Sequence, residues 1–368
     1  MENITALEVR MGQRRVGRLL LRADGICLFE YAAEWLSCGF SISPFELPLK
    51  SGVFEAKRSP FGGGFGVFDD SMPDGWGLLI MDRHLQCLGI RPEELNLLDR
   101  LALVGSCGRG ALEFYPDKSF SNSMDFVDFE KLQKEVSAIL RNDGDTGEDC
   151  IAELYRRGGS PGGARPKVFV RYDGDEWLVK FPAREDADRI GSQEYNYHLL
   201  ARRCGVEMMD CRLFDNKFFG TKRFDRTSDG RKIHVISMAG LLCADYRIPS
   251  LDYYHIFQVT ANLTHCVNEL WKVFKLMCFN YLIGNKDDHA KNFAFLYENE
   301  EWHLAPAFDI LPSTGIGGYH TTSFNNAINP TDQNLLTLAR KFSLPDKDAR
   351  EVLENMRCQV KQMGKIIL

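Results

Sequence analysis

Several segments that would restrict the function of this 368-residue chain are missing from its sequence. No apolar run approaches the roughly 18 residues of a transmembrane helix. The first residues, MENIT, lack the basic and apolar regions of a secretory signal peptide. The eleven cysteines are scattered, mostly among apolar residues, and form no C-x-x-C pair, which disfavours zinc and indicates reduced thiols. We therefore expect a cytoplasmic protein with no membrane partner.

An excess of basic residues is missing too, since 45 Lys and Arg against 51 Asp and Glu give a formal net charge of −6. A chain that bound nucleic acid over its whole surface would carry the opposite charge. Contact with DNA would thus need a local patch or a partner. The hydrophobic content of 44% and the charged content of 26% are ordinary for a soluble globular protein, and the length allows two or three structural units.

The usual nucleotide-binding motifs are also absent, although residues 156–167 (RRGGSPGGARPK) are rich in glycine and basic residues. This stretch contains neither G-K-[ST] nor G-x-G-x-x-G. Glycine nonetheless lets backbone N–H groups approach phosphate oxygens, and Lys167 adds positive charge. In isolation a surface loop is the favoured interpretation. The hairpin that follows, residues 168–172 and 176–181 around Asp173-Gly174, places Lys180 where protein kinases keep a phosphate-binding lysine.

The most informative segment is residues 282–293, LIGNKDDHAKNF. Asp287 and Asn292 have the D-x-x-x-x-N spacing by which kinase catalytic loops set an aspartate base beside an asparagine metal ligand. Asp309 follows after a short hairpin, where a kinase-like chain would place its second metal ligand. Phosphoryl transfer needs such a base and oxygen ligands for Mg²⁺. By itself the pattern also fits a chance match, a solvated loop or the metal site of a hydrolase.

The residue pattern predicts a β-rich start and a helical end. Strands are predicted at residues 6–11, 16–21 and 27–31, and helices dominate from Met238 onward. Ser71, Ser192 and Ser250 are predicted to cap the N-termini of helices, the last of them beginning at Leu251. Gly284 is predicted to end the helix that leads into the catalytic segment.

An ordered set of motifs resembles the HipA family of bacterial serine/threonine kinase toxins. The motifs are residues 71–77 (SMPDGWG), 160–167 (SPGGARPK), 177–182 (WLVKFP), 222–226 (KRFDR), 285–292 (NKDDHAKN) and 307–309 (AFD). The resemblance implies an α+β, bilobal, protein-kinase-like fold with an N-terminal β-rich subdomain and a helical C-terminal lobe. It implies an N-terminal HipA-type subdomain at residues 1–116, a kinase N-lobe at 117–238 with linker helices, and a C-lobe at 239–368.

The same resemblance implies ATP and Mg²⁺ as cofactors and assigns roles by position. Asp287 would be the catalytic base, and Asn292 and Asp309 would hold Mg²⁺. Lys180 would contact the phosphates, and Ser160 would be autophosphorylated. The remaining nucleotide contacts would be the loop residues Gly162, Gly163, Ala164, Arg165, Pro166 and Lys167, the adenine-lining residues Ile236, Ser237 and Met238 between the lobes, and the bordering residues His289 and Phe308.

The implied function is that of a toxin in a toxin–antitoxin module, which phosphorylates itself and a protein substrate of the aminoacyl-tRNA synthetase kind. Its partner would be a helix-turn-helix antitoxin like HipB, and operator DNA would be contacted mainly through that antitoxin. Asp288 departs from the family pattern and is expected to add negative charge beside the base. Two alternatives stay open. One is a small-molecule or phosphoinositide-type kinase, against which the absence of a basic membrane-facing cluster argues. The other is a non-catalytic, kinase-like co-repressor.

Overall fold

The computed structural model describes residues 3–119, 128–141, 148–158, 163–184, 186, 189–315 and 317–367. The chain divides into two compact units, and each is described by itself. The first unit comprises Met1–Ser192, Cys211–Ile236 and Gly240–Cys243. The second comprises Gln193–Asp210, Ser237–Ala239 and Ala244–Leu368. Ser160 and Gly162 lie outside the described residues. None of the described helices is long and apolar enough to span a bilayer.

The first unit begins with an antiparallel five-stranded sheet in the order β4-β3-β2-β1-β5. Its strands are β1 (Ala6–Met11), β2 (Arg14–Leu21), β3 (Cys27–Tyr31), β4 (Val53–Glu55) and β5 (Glu113–Tyr115). Alternate residues of β3 are buried, as expected for a strand with one face on a core. The helices connected to this sheet are α1 (Ala33–Cys38), α2 (Gly66–Asp69), α3 (Gly75–Cys87) and α4 (Leu97–Val104), with a 3₁₀ turn at Pro92–Glu94. The three predicted strands are confirmed.

Two helices and a second antiparallel sheet complete the first unit. The helices are α5 (Phe129–Arg141) and α6 (Glu148–Gly158), and the sheet has the order β6-β7-β9-β8. Its strands are β6 (Lys167–Tyr172), β7 (Asp175–Lys180), β8 (Cys211–Phe214) and β9 (Phe218–Lys222). Helix α7 (Ile190–Arg203) lies between β7 and β8 in the chain, and its residues from Gln193 onward belong to the second unit. The predicted hairpin at Asp173-Gly174 is confirmed, and both residues have the positive φ angles that such a turn requires. Phe129 of α5 packs on Phe214 and Phe218 of this sheet.

The second unit is mainly helical. Strand β10 (His234–Ser237) and helix α8 (Met238–Leu242) follow β9 and are shared between the two units. The later elements are β11 (Leu251–Asp252), α9 (Tyr253–Thr264), α10 (Val267–Ile283), β12 (Ala294–Glu298), β13 (Glu301–Leu304), β14 (Thr322–Ser323), α11 (Asp332–Lys341) and α12 (Asp346–Ile367), with a 3₁₀ turn at Ala290–Asn292. Its core surrounds Tyr253, which packs on Phe293 and Phe324. As predicted, α10 ends at Gly284, whose φ of 68° is left-handed.

The three predicted serine caps are wrong. Ser71 lies before α3, whose N-cap is Asp74, and Ser192 is the third residue of α7. Ser250 is followed by β11, which pairs in parallel with β14 before the next helix begins. Asp252 caps that helix instead and accepts the Tyr254 N–H at 2.7 Å. Pairing between distant strands thus sets where α9 starts, and a carboxylate replaces the hydroxyl as cap.

Candidate active site

The two adjacent carboxylates of the candidate catalytic segment, residues 282–293, differ completely in exposure. The Asp287 side chain is 63% exposed, whereas that of Asp288 is 0% exposed. The backbone N–H of Asp287 donates to Asn285 Oδ1 at 3.3 Å. The segment therefore presents one carboxylate to solvent and directs its neighbour into the interior of the second unit.

Asp288 accepts hydrogen bonds from four groups inside that unit. Its Oδ1 accepts the N–H groups of Thr321 and Thr322 at 2.9 and 3.1 Å. Its Oδ2 lies 3.0 Å from His320 Nδ1 and accepts the Tyr253 hydroxyl at 3.3 Å. A buried carboxylate needs several donors of this kind. Asp288 therefore points into the interior of the second unit, and the expectation that it adds negative charge beside Asp287 stays a prediction.

Two buried side-chain amides link Tyr253 to the backbone of Asp287. Asn280 on α10 donates to the Tyr253 oxygen at 2.9 Å, and Asn285 donates to Asn280 Oδ1 at 3.1 Å. Asn285 in turn accepts the Asp287 N–H. Burial and the charge of Asp288 raise the pKa of Tyr253 well above its usual value, so its hydroxyl keeps the proton that it donates. These hydrogen bonds connect the backbone N–H of Asp287 to the buried Tyr253 side chain.

Three residues that follow Asp309 in sequence also hold the candidate catalytic segment by hydrogen bonds, namely Ser313, Gly318 and Thr321. Ser313 Oγ accepts the Lys286 N–H at 2.8 Å, and the Lys286 carbonyl accepts the N–H and hydroxyl of Thr321 at 3.1 and 3.0 Å. The Lys286 ammonium donates to the Gly318 carbonyl at 2.7 Å. The residue before the exposed Asp287 is therefore held at both its N–H and its C=O group.

The two predicted metal ligands also lie in the second unit. The side-chain amide of Asn292 donates to the Asp287 carbonyl at 2.7 Å, so Oδ1 is the atom of this side chain that could bind a metal ion. Asp309 is exposed and has a left-handed φ of 57°, a strained conformation of the kind that clusters at functional sites. Oxygen donors of these types suit Mg²⁺. Within the described ranges, no group of three or more His, Cys, Asp and Glu side chains is placed to hold a metal ion.

The other predicted nucleotide contacts of this region differ in accessibility. His289 caps the 3₁₀ turn by accepting the Lys291 N–H at 3.2 Å, and Phe308 is half-buried. Ile236, Ser237 and Met238 are each 0% exposed. The Met238 N–H is already bonded to the Phe293 carbonyl at 2.8 Å. A role of these three residues in lining adenine stays a prediction.

In the first unit, Lys167 and Lys180 are direct partners across the β6–β7 ladder. Directly opposed residues of an antiparallel pair lie on the same face. Lys167 is only 4% exposed. The two lysines predicted to contact ATP phosphates are thus brought together by strand register.

The described residues between Gly163 and Lys167 are held in different ways. Gly163 has a φ of 93°, and a β-carbon there would lie 2.7 Å from the Lys167 ammonium nitrogen. Ala164 is exposed, whereas Arg165 donates to Asp186 at 3.0 Å. Pro166 is buried and its carbonyl accepts the Phe181 N–H at 2.8 Å. The segment therefore leads directly into the strand that carries Lys167.

Two models that describe domains of one protein family match this chain. The model described as the HipA-like C-terminal domain matches residues 159–363, and the model described as the HipA N-terminal domain matches residues 7–115. The chain belongs to the HipA family. The resemblance noted in the sequence is thereby confirmed.

Known relatives of this HipA-family chain agree with that assignment. Y4dM of Sinorhizobium fredii, a suggested kinase, is 26% identical over 97% of this chain and 91% of its own length. Among solved structures, HipA of Shewanella oneidensis, in complex with HipB and its operator DNA, matches with a TM-score of 0.70. The match covers 98% of this chain and 90% of that one at 18% identity. The predicted α+β, HipA-like fold is confirmed.

One motif that carries the HipA resemblance has a structural role that sequence reasoning missed. Within residues 222–226, Asp225 is buried and accepts the Gly110 N–H at 2.8 Å and the guanidinium groups of Arg223 and Arg226. Burial alone would raise the pKa of Asp225, but the two arginines hold it well below its usual range. Arg226 also donates to the carbonyls of Gly108 and Gly110. The alternation of Arg and Asp was the signal for this cluster.

Proposed function

We propose that this HipA-family chain is an ATP- and Mg²⁺-dependent serine/threonine protein kinase that acts as the toxin of a toxin–antitoxin pair. The observation that carries the proposal is that the Asp287 carboxylate is exposed to solvent whereas the adjacent Asp288 carboxylate is buried. Asp287 is exposed on a segment whose backbone is fixed by Asn285, Ser313 and Thr321. A solvent-exposed carboxylate on a rigid support is what a catalytic base requires.

In the proposed reaction Asp287 accepts the hydroxyl proton of a serine or threonine. The hydroxyl oxygen forms a bond to the γ-phosphorus of ATP, and the bond from that phosphorus to the β–γ bridging oxygen breaks, so that ADP leaves. When bound, Mg²⁺ neutralises charge on the phosphates. Asn292 Oδ1 and the Asp309 carboxylate are the groups proposed to hold it.

Lys180 is proposed to contact the phosphates, with Lys167 as its cross-strand neighbour. The nucleotide loop is proposed to comprise Gly162, Gly163, Ala164, Arg165, Pro166 and Lys167. Ile236, Ser237, Met238, His289 and Phe308 are proposed to surround the base and sugar. The strand register supports the phosphate assignment, because it sets two cations on one face next to the glycine-rich segment.

The proposed partners are a HipB-like helix-turn-helix antitoxin and, through it, operator DNA. The likeness to Shewanella oneidensis HipA, whose complex contains HipB and operator DNA, supports this assignment. An aminoacyl-tRNA synthetase is the proposed protein substrate. Ser160 is proposed to be autophosphorylated, since phosphate there would place about −1.5 to −2 charges beside the loop that receives ATP and would weaken ATP binding.

The test is phosphate transfer from ATP by the wild-type chain and by Asp287→Asn, with an aminoacyl-tRNA synthetase panel and the chain itself as acceptors. We expect Asp287→Asn to lose about 10³-fold in rate, or about 4 kcal/mol of transition-state stabilisation, with ATP binding nearly intact. Asp210→Asn is the matched control, since Asp210 is 59% exposed in the same unit.

Three results would redirect the proposal. Normal transfer by Asp287→Asn removes Asp287 as the base. ATP binding without transfer to any protein indicates a kinase-like co-repressor. Transfer to lipid in liposomes, with none to protein, indicates a phosphoinositide-type kinase. Peptide mapping after incubation with Mg²⁺ and ATP tests Ser160 directly, and Ser160→Ala should keep full ATP affinity.

A further inference from the structure

The start of α3 is bound to the glycine-rich segment within the first unit. The Asp74 carboxylate accepts the Gly163 N–H, and the Trp76 N–H donates to the Gly163 carbonyl at 3.2 Å. Both polar groups of the Gly163 backbone are thereby held by residues that precede them by almost ninety positions in the chain. Trp76 is 2% exposed, so this contact is part of a packed interior.

Asp74 makes this contact in place of an ordinary local one. It stands at the N-cap of α3 with the extended φ of −126° usual for that position. An aspartate there normally accepts an N–H from its own first helical turn. The Asp74 side chain makes no such cap bond. Its carboxylate oxygen goes to Gly163 instead, which indicates that the long-range contact is the favoured one.

Gly75 allows the two segments to touch. Its φ is 44°, and a β-carbon at this position would lie 2.7 Å from both the Gly163 carbonyl oxygen and the Ala164 α-carbon. Real β-carbons do not approach other atoms so closely. Only glycine therefore fits between Asp74 and Trp76 while both hold Gly163.

The same helix also packs on the chain that leads into the glycine-rich segment. The His84 ring of α3 stacks on Tyr155 of α6, with centroids 5.0 Å apart and planes at 21°. Since α6 ends at Gly158, α3 contacts the described chain on both sides of residues 159–162. Helix α3 thus contacts both Tyr155 and Gly163.

We propose that Asp74, Gly75 and Trp76 are positioning residues for the nucleotide loop, so that the N-terminal domain sets the affinity for ATP. This assignment rests on the proposed kinase function. A loop that is already anchored loses less conformational freedom when its backbone N–H groups bind phosphate oxygens. The anchor acts on binding, and the transfer step at Asp287 should be insensitive to it.

The experiment compares wild type, Asp74→Ala and Asp74→Asn, with Asp82→Ala as the control. Asp82 lies on the same helix and accepts a hydrogen bond from Arg100 at 2.7 Å, within the N-terminal domain. Calorimetry with Mg²⁺ and the ATP analogue AMP-PNP measures affinity without autophosphorylation. Losing one charge-assisted hydrogen bond should raise Kd about tenfold or more for Asp74→Ala. Asp74→Asn keeps an oxygen acceptor and should recover most of the affinity, and Asp82→Ala should bind as wild type does.

Two further measurements distinguish a positioning role of Asp74 from a general loss of structure in α3. The KM for ATP of Asp74→Ala should rise about tenfold, while kcat at saturating ATP stays within about twofold. Hydrogen exchange at residues 163–167, measured without nucleotide, should be faster in Asp74→Ala and unchanged in Asp82→Ala.

Each contrary result has a distinct meaning. If wild type binds AMP-PNP and Asp74→Ala binds it equally well, the positioning assignment is overturned while the kinase proposal stands. An equal loss of affinity in Asp74→Ala and Asp82→Ala also overturns it, since the effect then follows from damage to α3. A wild-type chain that binds no nucleotide overturns the proposed function and this assignment together.

Discussion

Replacing Asp288 tests whether the buried carboxylate of the candidate catalytic segment stabilises the folded chain. Asp288→Ala would remove the acceptor for the Thr322 N–H and the Tyr253 hydroxyl and the partner of His320. The Thr321 N–H would keep its second acceptor, the Lys286 carbonyl. Three buried groups are thus left without a partner, at about 1–3 kcal/mol each before the structure relaxes. We expect a loss of about 3–5 kcal/mol in the free energy of unfolding.

Two matched variants give reference values for this loss in the free energy of unfolding. Asp288→Asn keeps an oxygen for Thr321 and Thr322 but presents an N–H₂ group to Tyr253 and His320, so we expect a loss of about 1–2 kcal/mol. Asp287→Asn makes the same chemical change one residue earlier, at a 63% exposed side chain, where the effect on stability should stay within about 0.5 kcal/mol.

Thermal unfolding and hydrogen exchange are the assays. At roughly 2–4 °C per kcal/mol, Asp288→Ala should unfold about 10 °C below wild type, and Asp287→Asn at the wild-type temperature. Exchange of the Thr322 amide should rise in Asp288→Ala alone. The reasoning is refuted if Asp288→Ala keeps the wild-type unfolding temperature and amide protection, or if the two asparagine variants destabilise equally.

Three further predictions concern other residues. Asp309→Asn should reduce the gain in ATP affinity on adding Mg²⁺ by about tenfold, and titrations with and without Mg²⁺ would contradict this if the full gain persists. Burial raises the pKa of Glu46 from 4.5 to about 7. Between these pH values the folded chain therefore binds one more proton than the unfolded chain. The stability of the folded chain is thus highest, as far as Glu46 is concerned, below pH 4.5 and falls as the pH rises to 7. The free energy of unfolding of Glu46→Gln should therefore rise by up to about 3 kcal/mol relative to that of wild type between pH 4.5 and pH 8. If urea denaturation gives the same difference between the two chains at both pH values, the pKa shift of Glu46 is contradicted. Asp225→Ala leaves Arg223 and Arg226 buried without their carboxylate and should lose about 3–5 kcal/mol, which a wild-type denaturation midpoint would contradict.

Much of the local structure follows from the sequence because its causes are local. The turn at Asp173-Gly174 and the end of α10 at Gly284 depend on residues that tolerate positive φ angles, and both occur where predicted. The order of the short motifs likewise sufficed to place the chain in the HipA family, which the family models confirm. The start of α9 was misplaced because β11 must first pair with β14, some seventy residues later.

The sequence by itself determined the fold class, the hairpins and the identity of the candidate catalytic segment. Only the tertiary structure decided which of two chemically identical neighbours, Asp287 or Asp288, faces solvent. It also decided that the Asp74 carboxylate bonds to Gly163 rather than to its own helix. The physical reason is the same in both cases. A carboxylate goes where backbone N–H groups are left to be satisfied, and here those groups belong to segments more than thirty residues away.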